Sequence, residues 1–504
     1  MTTVLPPQSP IPGEIRLPKH RDAYYGGKWH RPTSGGYVET ISPGTGKSLG
    51  KVADGTAADM DAAIAAAKTG FTEWRRVPPL ERARILKRVA QILREHAGEL
   101  AMIDAADCGN PVKEMLADAN IAAAQMEFFA GLVTEMKGAS IPMGPDVVNF
   151  SVREPRGVVG RIIPFNHPFM FCAGKSAAPL AAGNTIVMKP PEQAPLSSLR
   201  LAELCDGLFP PGVFNVVPGG RDAGARLAAH PDVAMIALIG SVPTGRAVMK
   251  AAADTVKPIL LELGGKNALI AYPDADPDDV AGGVVGGMNF TWCGQSCGST
   301  SRAFVHEKIY DAVLDRVKQR VAYYRPGVPT DPATTMGAIA SKAQYERVLN
   351  FIGTAKKEGA RLLHGGDRPA DPKLDNGLFV EPTIFADVTP DMTIAREEIF
   401  GPVLGIFKWS DEQTMLDQVN AVDYGLTCSI WTNDLSTAHR TAAEVQAGFI
   451  WVNEVSKHFL GTPFGGFKQS GIGREECFDE LLSFTQEKNI HVRLKRAEPQ
   501  APSS

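Results

Sequence analysis

Five short apolar segments lie between Gly157 and Tyr272, and their alternation with stretches of helical spacing constrains the fold more than any other feature. The segments read GVVGRIIP, NTIVMKP, VFNVVPGG, VAMIALIG and PILLELGG. Apolar runs of this length that alternate with helices are typical of parallel β-strands joined by crossover helices. The sequence therefore predicts an α/β fold with a parallel sheet in this region. Because ligands bind at the carboxyl ends of such strands, the residues that end these runs are candidate site residues.

Further elements are predicted on both sides of this region. Downstream, a strand at RAFVH, a helix from Lys308 to about Tyr323, and strands near FVEPTIF and GFIWVNE indicate a second α/β region. Upstream, two amphipathic helices are predicted, the first after Thr56, a candidate N-cap with Asp59 three residues later. Two isolated β-like segments, NFSVREPRG and FTQEKNIHV, are expected to share a small sheet whose open edge would let subunits pair.

Composition excludes several classes of protein. The chain has 504 residues, of which 44% are hydrophobic, enough for two or three domains with substantial cores. A formal net charge of −4 leaves no basic surplus for a phosphate backbone, so no nucleic-acid partner is expected. No apolar run approaches the roughly 18 to 20 residues that cross a bilayer, and no secretory signal is recognisable, which predicts a cytoplasmic chain without a membrane partner. The seven cysteines form no CxxC pair, so neither a disulfide framework nor a metal site is expected.

Three residues have surroundings suited to covalent catalysis. Cys297 lies between small residues in GQSCG, where backbone and substrate can approach closely, although a lone cysteine is more often a buried structural thiol. Glu262 ends an apolar run in LELGGK, and apolar surroundings raise the pKa of a carboxyl group toward the range of a general base. Asn166 lies in the turn IIPFNHPF, where its amide and the Cys297 N–H would form an oxyanion hole.

Two turns that follow strands suit a nucleotide. In IGSVPTGR, Gly240 and Gly245 lie where a strand passes into a helix, which can bring backbone N–H groups to a phosphate. In VMKPPEQAP, the ammonium of Lys189 and the carboxylate of Glu192 can bond ribose hydroxyls. A carboxylate at this place repels a 2′-phosphate, so the pair favours NAD over NADP. Taken alone, each motif is also compatible with an ordinary turn or a solvated charge pair.

The motifs PFNHP, KPPEQ, GSVPTG, LELGGK, GQSC, EEIFGPV and PFGGFKQSGIGRE occur in the order and approximate spacing of the aldehyde dehydrogenase superfamily. The chain resembles this family from about Tyr24 to Arg493. The resemblance implies a Rossmann-type cofactor domain, an α/β catalytic domain and a small bridging β-sheet. The implied parts are an NAD-binding domain (21–136 and 156–264), a catalytic domain (265–483), a bridging sheet for a homodimer or homotetramer (137–155 and 484–495), and flexible ends (1–20 and 496–504).

The resemblance also implies a mechanism. Cys297 attacks the aldehyde, Asn166 and the Cys297 N–H hold the oxyanion, and hydride passes to NAD, which leaves a thioester. Glu262 then activates a water molecule that hydrolyses the thioester and releases the carboxylic acid. No metal takes part in this scheme.

Further site residues follow from the family motifs. Lys175 and Glu475 match proton-relay positions, although the sequence explains Glu475 equally well as a surface partner of Arg474. Residues matched to the cofactor site are Ile162, Pro164, Phe165, Lys189, Glu192, Gly220, Gly240, Ser241, Thr244, Leu263, Glu398 and Phe400. Residues matched to the substrate site are His167, Phe171, Trp292, Ser296, Gly298 and His458.

Two substrate-site residues depart from the family pattern. His167 stands where an aromatic residue usually follows the asparagine, and Trp292 stands where an asparagine is common. Flat side chains favour an aromatic or medium-sized apolar aldehyde. Three alternatives stay open: an aminoaldehyde or betaine-aldehyde-like substrate, a CoA-acylating semialdehyde dehydrogenase, and a non-catalytic binding protein. Glu262 counts against acyl transfer to a thiol, and the joint presence of Cys297, Glu262 and Asn166 counts against a binding protein.

Overall fold

The structure is a computed structural model that describes residues 10–495; the parts of the predicted flexible ends at 1–9 and 496–504 lie outside the described residues. The first part of the chain forms β1 (Ala23–Tyr25), β2 (Lys28–His30), β3 (Tyr37–Ile41), β4 (Ser48–Ala53), α1 (Ala57–Trp74), α2 (Pro79–Glu95), α3 (Ala97–Cys108) and α4 (Val112–Gly131). The middle part forms β5 (Ser140–Ile141), β6 (Val147–Pro155), β7 (Val158–Ile162), α5 (Pro168–Gly174), α6 (Ala177–Ala181), β8 (Thr185–Lys189), α7 (Leu196–Leu204), β9 (Phe214–Val216), α8 (Arg221–Ala229), β10 (Val233–Ile239), α9 (Val242–Ala253) and β11 (Ile259–Glu262).

The last part of the chain is again mixed. It forms β12 (Ala268–Ala271), α10 (Pro277–Gly287), β13 (Arg302–His306), α11 (Glu307–Val321), α12 (Lys342–Lys357), β14 (Arg361–His364), β15 (Thr383–Ala386), α13 (Thr393–Arg396), β16 (Val403–Trp409), α14 (Glu412–Asn420), β17 (Tyr424–Gly425), β18 (Thr427–Trp431), α15 (Leu435–Glu444), β19 (Phe449–Val452), β20 (Phe467–Lys468), β21 (Gly471–Ile472), α16 (Phe478–Ser483) and β22 (Thr485–Arg493).

The first sheet contains the five apolar segments predicted as strands. Its order is β2-β1-β9-β8-β7-β10-β11-β21, and β9, β8, β7, β10 and β11 are mutually parallel. Side chains alternate between the two faces: in β10, Met235 and Ala237 pack with α2 to α7, whereas Ile236 and Leu238 pack with α1, α8 and α9. Burial on both faces explains why these segments are apolar throughout. The predicted parallel α/β fold is confirmed.

The second sheet has the order β14-β15-β16-β13-β12-β18-β19 and is parallel except for β14. The predicted strand at RAFVH is β13, and the helix predicted after it is α11, which ends two residues before Tyr323. The segments FVEPTIF and GFIWVNE contain β15 and β19. At the other end of the chain, Thr56 and Asp59 form the capping box that begins α1, as the sequence predicted. The predicted second α/β region is therefore also confirmed.

The two isolated β-like segments do share a small sheet. Strand β22 pairs antiparallel with β6 from Thr485 opposite Pro155 to Arg493 opposite Val147, and β5 pairs with the other side of β6. Five large apolar residues of this sheet and its flanks are exposed, namely Ile141, Met143, Val148, Val492 and Leu494. Its role in pairing subunits stays a prediction.

A short strand from late in the chain extends the first sheet. In β21, Gly471 lies opposite Glu262 and Ile472 lies opposite Leu261 of β11, in an antiparallel pair. The sequence did not indicate this pairing, because a two-residue strand has no recognisable period. Its consequence is that the residues after β21 return to the end of β11, beside Glu262. The domain boundaries drawn from the resemblance stay a prediction, and no helix within residues 10–495 is long and apolar enough to cross a membrane.

Asn184 ties three elements together behind the first sheet. The side chain is fully buried. Its Oδ1 accepts hydrogen bonds from the backbone N–H groups of Arg156 (2.8 Å) and Gly157 (3.0 Å). Its Nδ2 donates to the backbone oxygens of Pro179 (3.1 Å) and Phe484 (2.9 Å). One amide thus satisfies four buried backbone groups at the junction of β7, α6 and β22.

We expect Asn184→Ala to destabilise the protein by about 2 kcal/mol or more, because the N–H groups of Arg156 and Gly157 and the oxygen of Phe484 lose this partner. Asn350→Ala, an exposed position on α12, is the matched control and should leave stability unchanged. Thermal unfolding monitored by circular dichroism measures both. Equal midpoints for the two variants would show that Asn184 is not the tie that the contacts indicate.

Candidate active site

Two cavities meet at the carboxyl ends of β7, β10 and β11. The first has a volume of about 420 Å³ and the second of about 370 Å³. Asn166, Glu262 and Cys297 line both of them. The three residues predicted to be catalytic therefore lie together, at the junction where molecules in the two cavities would meet.

The loop that carries Cys297 is held by the segment after β11. Nδ2 of Asn267 donates hydrogen bonds to the backbone oxygens of Cys297 (2.6 Å) and Ser299 (3.0 Å). Gly265 faces the same Cys297 oxygen, and a Cβ at this position would lie only 2.7 Å from it. The absence of a side chain at Gly265 therefore permits the close approach of the two segments. Cys297 is partly exposed, whereas the other six cysteines are buried.

Glu262 is a buried carboxyl group at the end of β11. It is 4% exposed, and neither carboxyl oxygen has a hydrogen-bond partner among the described residues. Burial and the charge of Glu475 raise the pKa of Glu262 well above its usual value. Burial and the charge of Glu262 raise the pKa of the Cys297 thiol to about 12. The direction of the Glu262 shift agrees with the expectation from the sequence.

Asn166 lies in the turn between β7 and α5. Its backbone oxygen accepts a hydrogen bond from Nδ2 of Asn110 (2.6 Å), which fixes the turn. The side-chain Oδ1 is buried and has no hydrogen-bond partner within residues 10–495. The amide of Asn166 is therefore available to a molecule in either cavity.

A buried charge network lies next to Glu262. Glu475 is 1% exposed, and its two carboxyl oxygens contact Nζ of Lys175 (2.9 Å) and Nη1 of Arg161 (2.9 Å). The Lys175 ammonium also lies 3.6 Å from Glu476. Burial opposes ionisation of Glu475, yet the charges of Lys175 and Arg161 hold its pKa below the usual value. The alternative of a surface pair with Arg474 is wrong, because the carboxylate is buried and bound to other cations.

The second cavity gathers most of the residues predicted for the cofactor. Glu398 is fixed there, because its Oε1 accepts a hydrogen bond from the Gly265 N–H (3.0 Å). Burial raises the pKa of Glu398 to about 7. The predicted residues that line this cavity are Pro164, Phe165, Gly240, Ser241, Leu263, Glu398 and Phe400.

The remaining predicted cofactor residues lie beyond that cavity. Lys189 ends β8 opposite Ile162 of β7, and it is 7% exposed, with no side-chain hydrogen bond to any described residue. Glu192 is exposed nearby, and a Cβ added at Gly220 would lie 3.6 Å from its carboxyl group. Thr244 stands in the first turn of α9, where its backbone N–H donates to Oγ of the N-cap Ser241 (3.4 Å).

The first cavity contains every residue predicted for the substrate. The imidazole of His167 meets the rings of Trp292 and Phe171 edge-on, at centroid distances of 4.7 and 5.7 Å. His458 contacts Glu476 through Nδ1 (3.1 Å) on the other side. The predicted residues that line this cavity are His167, Phe171, Trp292, Ser296, Gly298 and His458.

Comparisons with known proteins agree with this arrangement. The model of the aldehyde dehydrogenase family matches residues 29–490. This chain belongs to the aldehyde dehydrogenase family. Aldehyde dehydrogenase tropH of Talaromyces stipitatus is 52% identical over 96% of this chain and 95% of its own length.

Solved structures of aldehyde dehydrogenases have the same fold. An NAD+ complex of an aldehyde dehydrogenase from Bacillus cereus is 38% identical, with a TM-score of 0.91 over 95% of this chain and 97% of that one. An apo betaine aldehyde dehydrogenase from Staphylococcus aureus is 32% identical, with a TM-score of 0.92 over 96% of this chain and 97% of that one. The fold and the aldehyde-oxidising activity predicted from the motifs are thus confirmed at the level of the family, and NAD-bound relatives support binding of this cofactor.

Several residues that line the two cavities of this aldehyde dehydrogenase were not predicted from the sequence. On the cofactor side, Gln344 of α12 donates to the backbone oxygen of Phe400 (2.7 Å) and Arg347 donates to that of Glu398 (2.7 Å). On the substrate side, Asp118 and Glu114 of α4 line the cavity. These residues lie inside helices far along the chain from the motifs they support, so no local pattern points to them.

We predict that iodoacetamide labels Cys297 selectively and that the labelling rate rises about tenfold per pH unit from pH 7 to pH 9.5. The reason is that the thiol has a pKa of about 12, and at a pH well below this value each increase of one pH unit raises the thiolate fraction about tenfold. Mass spectrometry of the cofactor-free protein gives both the site and the rate. Labelling that levels off near pH 8 would contradict the raised pKa, and Cys297→Ser controls for labelling elsewhere.

Proposed function

We propose that the protein oxidises an aldehyde to its carboxylic acid with NAD, through a thioester on Cys297 that water hydrolyses. The observation that carries the proposal is the junction of the two cavities, which Cys297, Glu262 and Asn166 share. An aldehyde in the first cavity and a nicotinamide in the second would meet at the thiol. A binding protein has no need of an unpaired buried carboxyl group at such a junction.

The first chemical step is assigned to Cys297 and Asn166. The sulfur attacks the carbonyl carbon after Glu262 takes the proton of the thiol, and the aldehyde oxygen becomes an oxyanion. Nδ2 of Asn166, which makes no hydrogen bond within residues 10–495, and the Cys297 N–H donate hydrogen bonds to this oxyanion. When bound, NAD supplies the acceptor for the hydride of the carbon attached to sulfur.

The second chemical step is assigned to Glu262. Its carboxylate takes a proton from water, and the resulting hydroxide attacks the thioester carbon, which releases the acid and returns the thiol. The raised pKa makes Glu262 a stronger base than an exposed carboxylate. We assign Lys175 and Glu475, which line the same cavity, to the path by which this proton leaves. Water activation argues against a CoA-acylating enzyme, in which a thiol takes the place of water.

The residues present fit NAD. The ammonium of the buried Lys189 makes no hydrogen bond within residues 10–495, and it would bond a ribose hydroxyl together with Glu192. Gly240 and Ser241 precede α9, whose N-terminus would face the phosphates. Glu398 would bond the second ribose, beside Phe400. The carboxylate of Glu192 would repel the 2′-phosphate of NADP, so we propose a preference for NAD.

The aromatic wall of the first cavity supports an aromatic or medium-sized apolar aldehyde. An aminoaldehyde is the alternative substrate, since a betaine aldehyde dehydrogenase is among the relatives. We further propose a homodimer or homotetramer that pairs through the sheet of β5, β6 and β22, where exposed apolar residues cluster. A cytoplasmic location stays a prediction.

The reaction is tested with purified protein, a panel of aldehydes and NAD, in the presence and in the absence of CoA. We predict that Cys297→Ala forms no NADH but still binds NAD, because only the nucleophile is lost.

We predict that Glu262→Gln forms about one NADH per site in a burst and then turns over about 100-fold more slowly or worse, because the thioester accumulates. Stopped-flow absorbance measures both, and chromatography identifies the acid. Cys205→Ala changes a buried thiol that lines neither cavity, and this control should behave like the wild type.

A third prediction concerns the choice of cofactor. Glu192→Ser should raise the ratio of kcat/KM for NADP to that for NAD several-fold, because one negative charge beside the 2′-phosphate disappears. Gln193→Ser changes the adjacent exposed residue without changing charge and should leave the ratio as it is. Steady-state kinetics with both cofactors measure the ratio. If Glu192→Ser leaves it unchanged as well, the carboxylate does not select the cofactor.

A further inference from the structure

A histidine and an aspartate form a buried pair in the wall of the first cavity, apart from the catalytic residues. Nδ1 of His167 lies 2.7 Å from Oδ2 of Asp118, and the two side chains are 6% and 4% exposed. His167 immediately precedes α5, and Asp118 projects from α4, so the contact joins two elements. The mechanism proposed above uses neither side chain.

The surroundings fix the orientation of the His167 ring. Trp292 and Phe171 contact the imidazole edge-on from two sides, and Asp118 binds Nδ1. The other ring nitrogen, Nε2, has no hydrogen-bond partner among residues 10–495 and is not among the fully enclosed atoms. Since His167 lines the cavity, Nε2 faces the space that a substrate would fill.

The charges around His167 bear on which chemical group of a substrate can face Nε2. Burial opposes protonation, but the charge of Asp118 and its hydrogen bond hold the pKa of His167 above its usual value, which favours the ring that carries a proton on both nitrogens. Glu114, one turn before Asp118 on α4, lines the same cavity, and burial and the charge of Asp118 raise its pKa. The wall therefore presents a ring nitrogen of His167 and the carboxyl group of Glu114 to the same cavity. A neutral hydroxyl matches both, because it accepts one hydrogen bond and donates another.

We propose that His167, positioned by Asp118, recognises a hydroxyl group on the ring of an aromatic aldehyde, with Nε2 donating to the hydroxyl oxygen and Glu114 accepting its proton. This inference rests on the proposed function and narrows its substrate to hydroxylated aromatic aldehydes. The ring of the aldehyde would pack beside Trp292 and Phe171, which line the same cavity. Because a site built for a hydroxyl leaves buried polar groups unpaired with a substrate that lacks one, it rejects such a substrate strongly.

The test compares aldehydes of equal size. Hydroxybenzaldehydes and methylbenzaldehydes substituted at the same ring position, 2, 3 or 4, differ chiefly in the hydroxyl group. We expect kcat/KM of the wild-type protein to favour the hydroxyl member about tenfold or more at one position at least. In His167→Phe this ratio should fall toward one, and in Asp118→Asn it should fall by a smaller factor. Comparing each variant with the wild type cancels the different intrinsic reactivities of the aldehydes.

Controls separate recognition from folding. His439→Phe makes the same replacement at an exposed position on α15 and should keep the wild-type ratio. His167→Gln, which retains an N–H donor, should recover part of the ratio lost in His167→Phe. If the His167 variants fail to fold, inhibition of the wild type by hydroxybenzoates and methylbenzoates gives the same comparison, and the hydroxyl acids should bind about tenfold tighter at the preferred position.

The outcomes distinguish this inference from the proposed function. Formation of NADH from both aldehydes at equal efficiency at every position would overturn recognition by His167 and leave the aldehyde oxidation standing. A wild-type preference that survives in His167→Phe would likewise overturn it. Absence of NADH with every aldehyde would instead contradict the proposed function.

Discussion

The approach of three chain segments at Gly264 and Gly265 is the constraint on which the site depends. A Cβ on Gly264 would collide with the carboxyl group of Glu398, and one on Gly265 would lie 2.7 Å from the Cys297 oxygen. Without side chains, this turn lets the cysteine loop and the Glu398 segment pack against the end of β11. Cys297, Glu262 and the cofactor-side carboxylate of Glu398 thereby converge on this one backbone turn.

The pairing of β21 with β11 adds the electrostatics. It brings Glu475 beside Glu262, and the two buried carboxyl groups then have opposite fates. Among the described residues, Lys175 and Arg161 bind the Glu475 carboxylate and hold its pKa down, whereas no cation contacts Glu262 and its pKa rises. The pKa values of two similar groups thus shift in opposite directions because only one of them has partners, which is how buried carboxyl pairs divide acid and base roles.

Sequence patterns predicted the five parallel strands of the first sheet and β13, β15 and β19 of the second, because buried parallel strands are apolar throughout and are bounded by turn residues. The residues that the family resemblance assigned to the substrate all line one cavity. What the patterns missed has a common cause. The strand β21 is too short to show a period, although it lies within the motif PFGGFKQSGIGRE, and the helix residues Gln344 and Asp118 belong to no motif. Their positions depend on tertiary contacts with segments more than 40 residues away.

The burial of Glu475 is a further feature that depends on tertiary contacts and that the local sequence does not reveal. A glutamate next to an arginine reads as a surface pair, and only the packing of the segment after β21 reveals that it faces inward.

The substrate wall and the catalytic residues are supplied by different parts of the fold. Cys297, Glu262 and Asn166 lie on loops at strand ends that the sheet holds in place, so each is tied to the rest of the core. Asp118 and Glu114 project from α4, which packs on the outside of that sheet and meets the cavity only along one side. A substitution on α4 can therefore alter the hydrogen-bond partners in the wall of the first cavity without moving the thiol of Cys297 or the carboxyl group of Glu262. In the proposed recognition Asp118 acts in this way: it positions His167 in the cavity wall, which then favours a substrate with a hydroxyl group, while Cys297 and Glu262 are untouched.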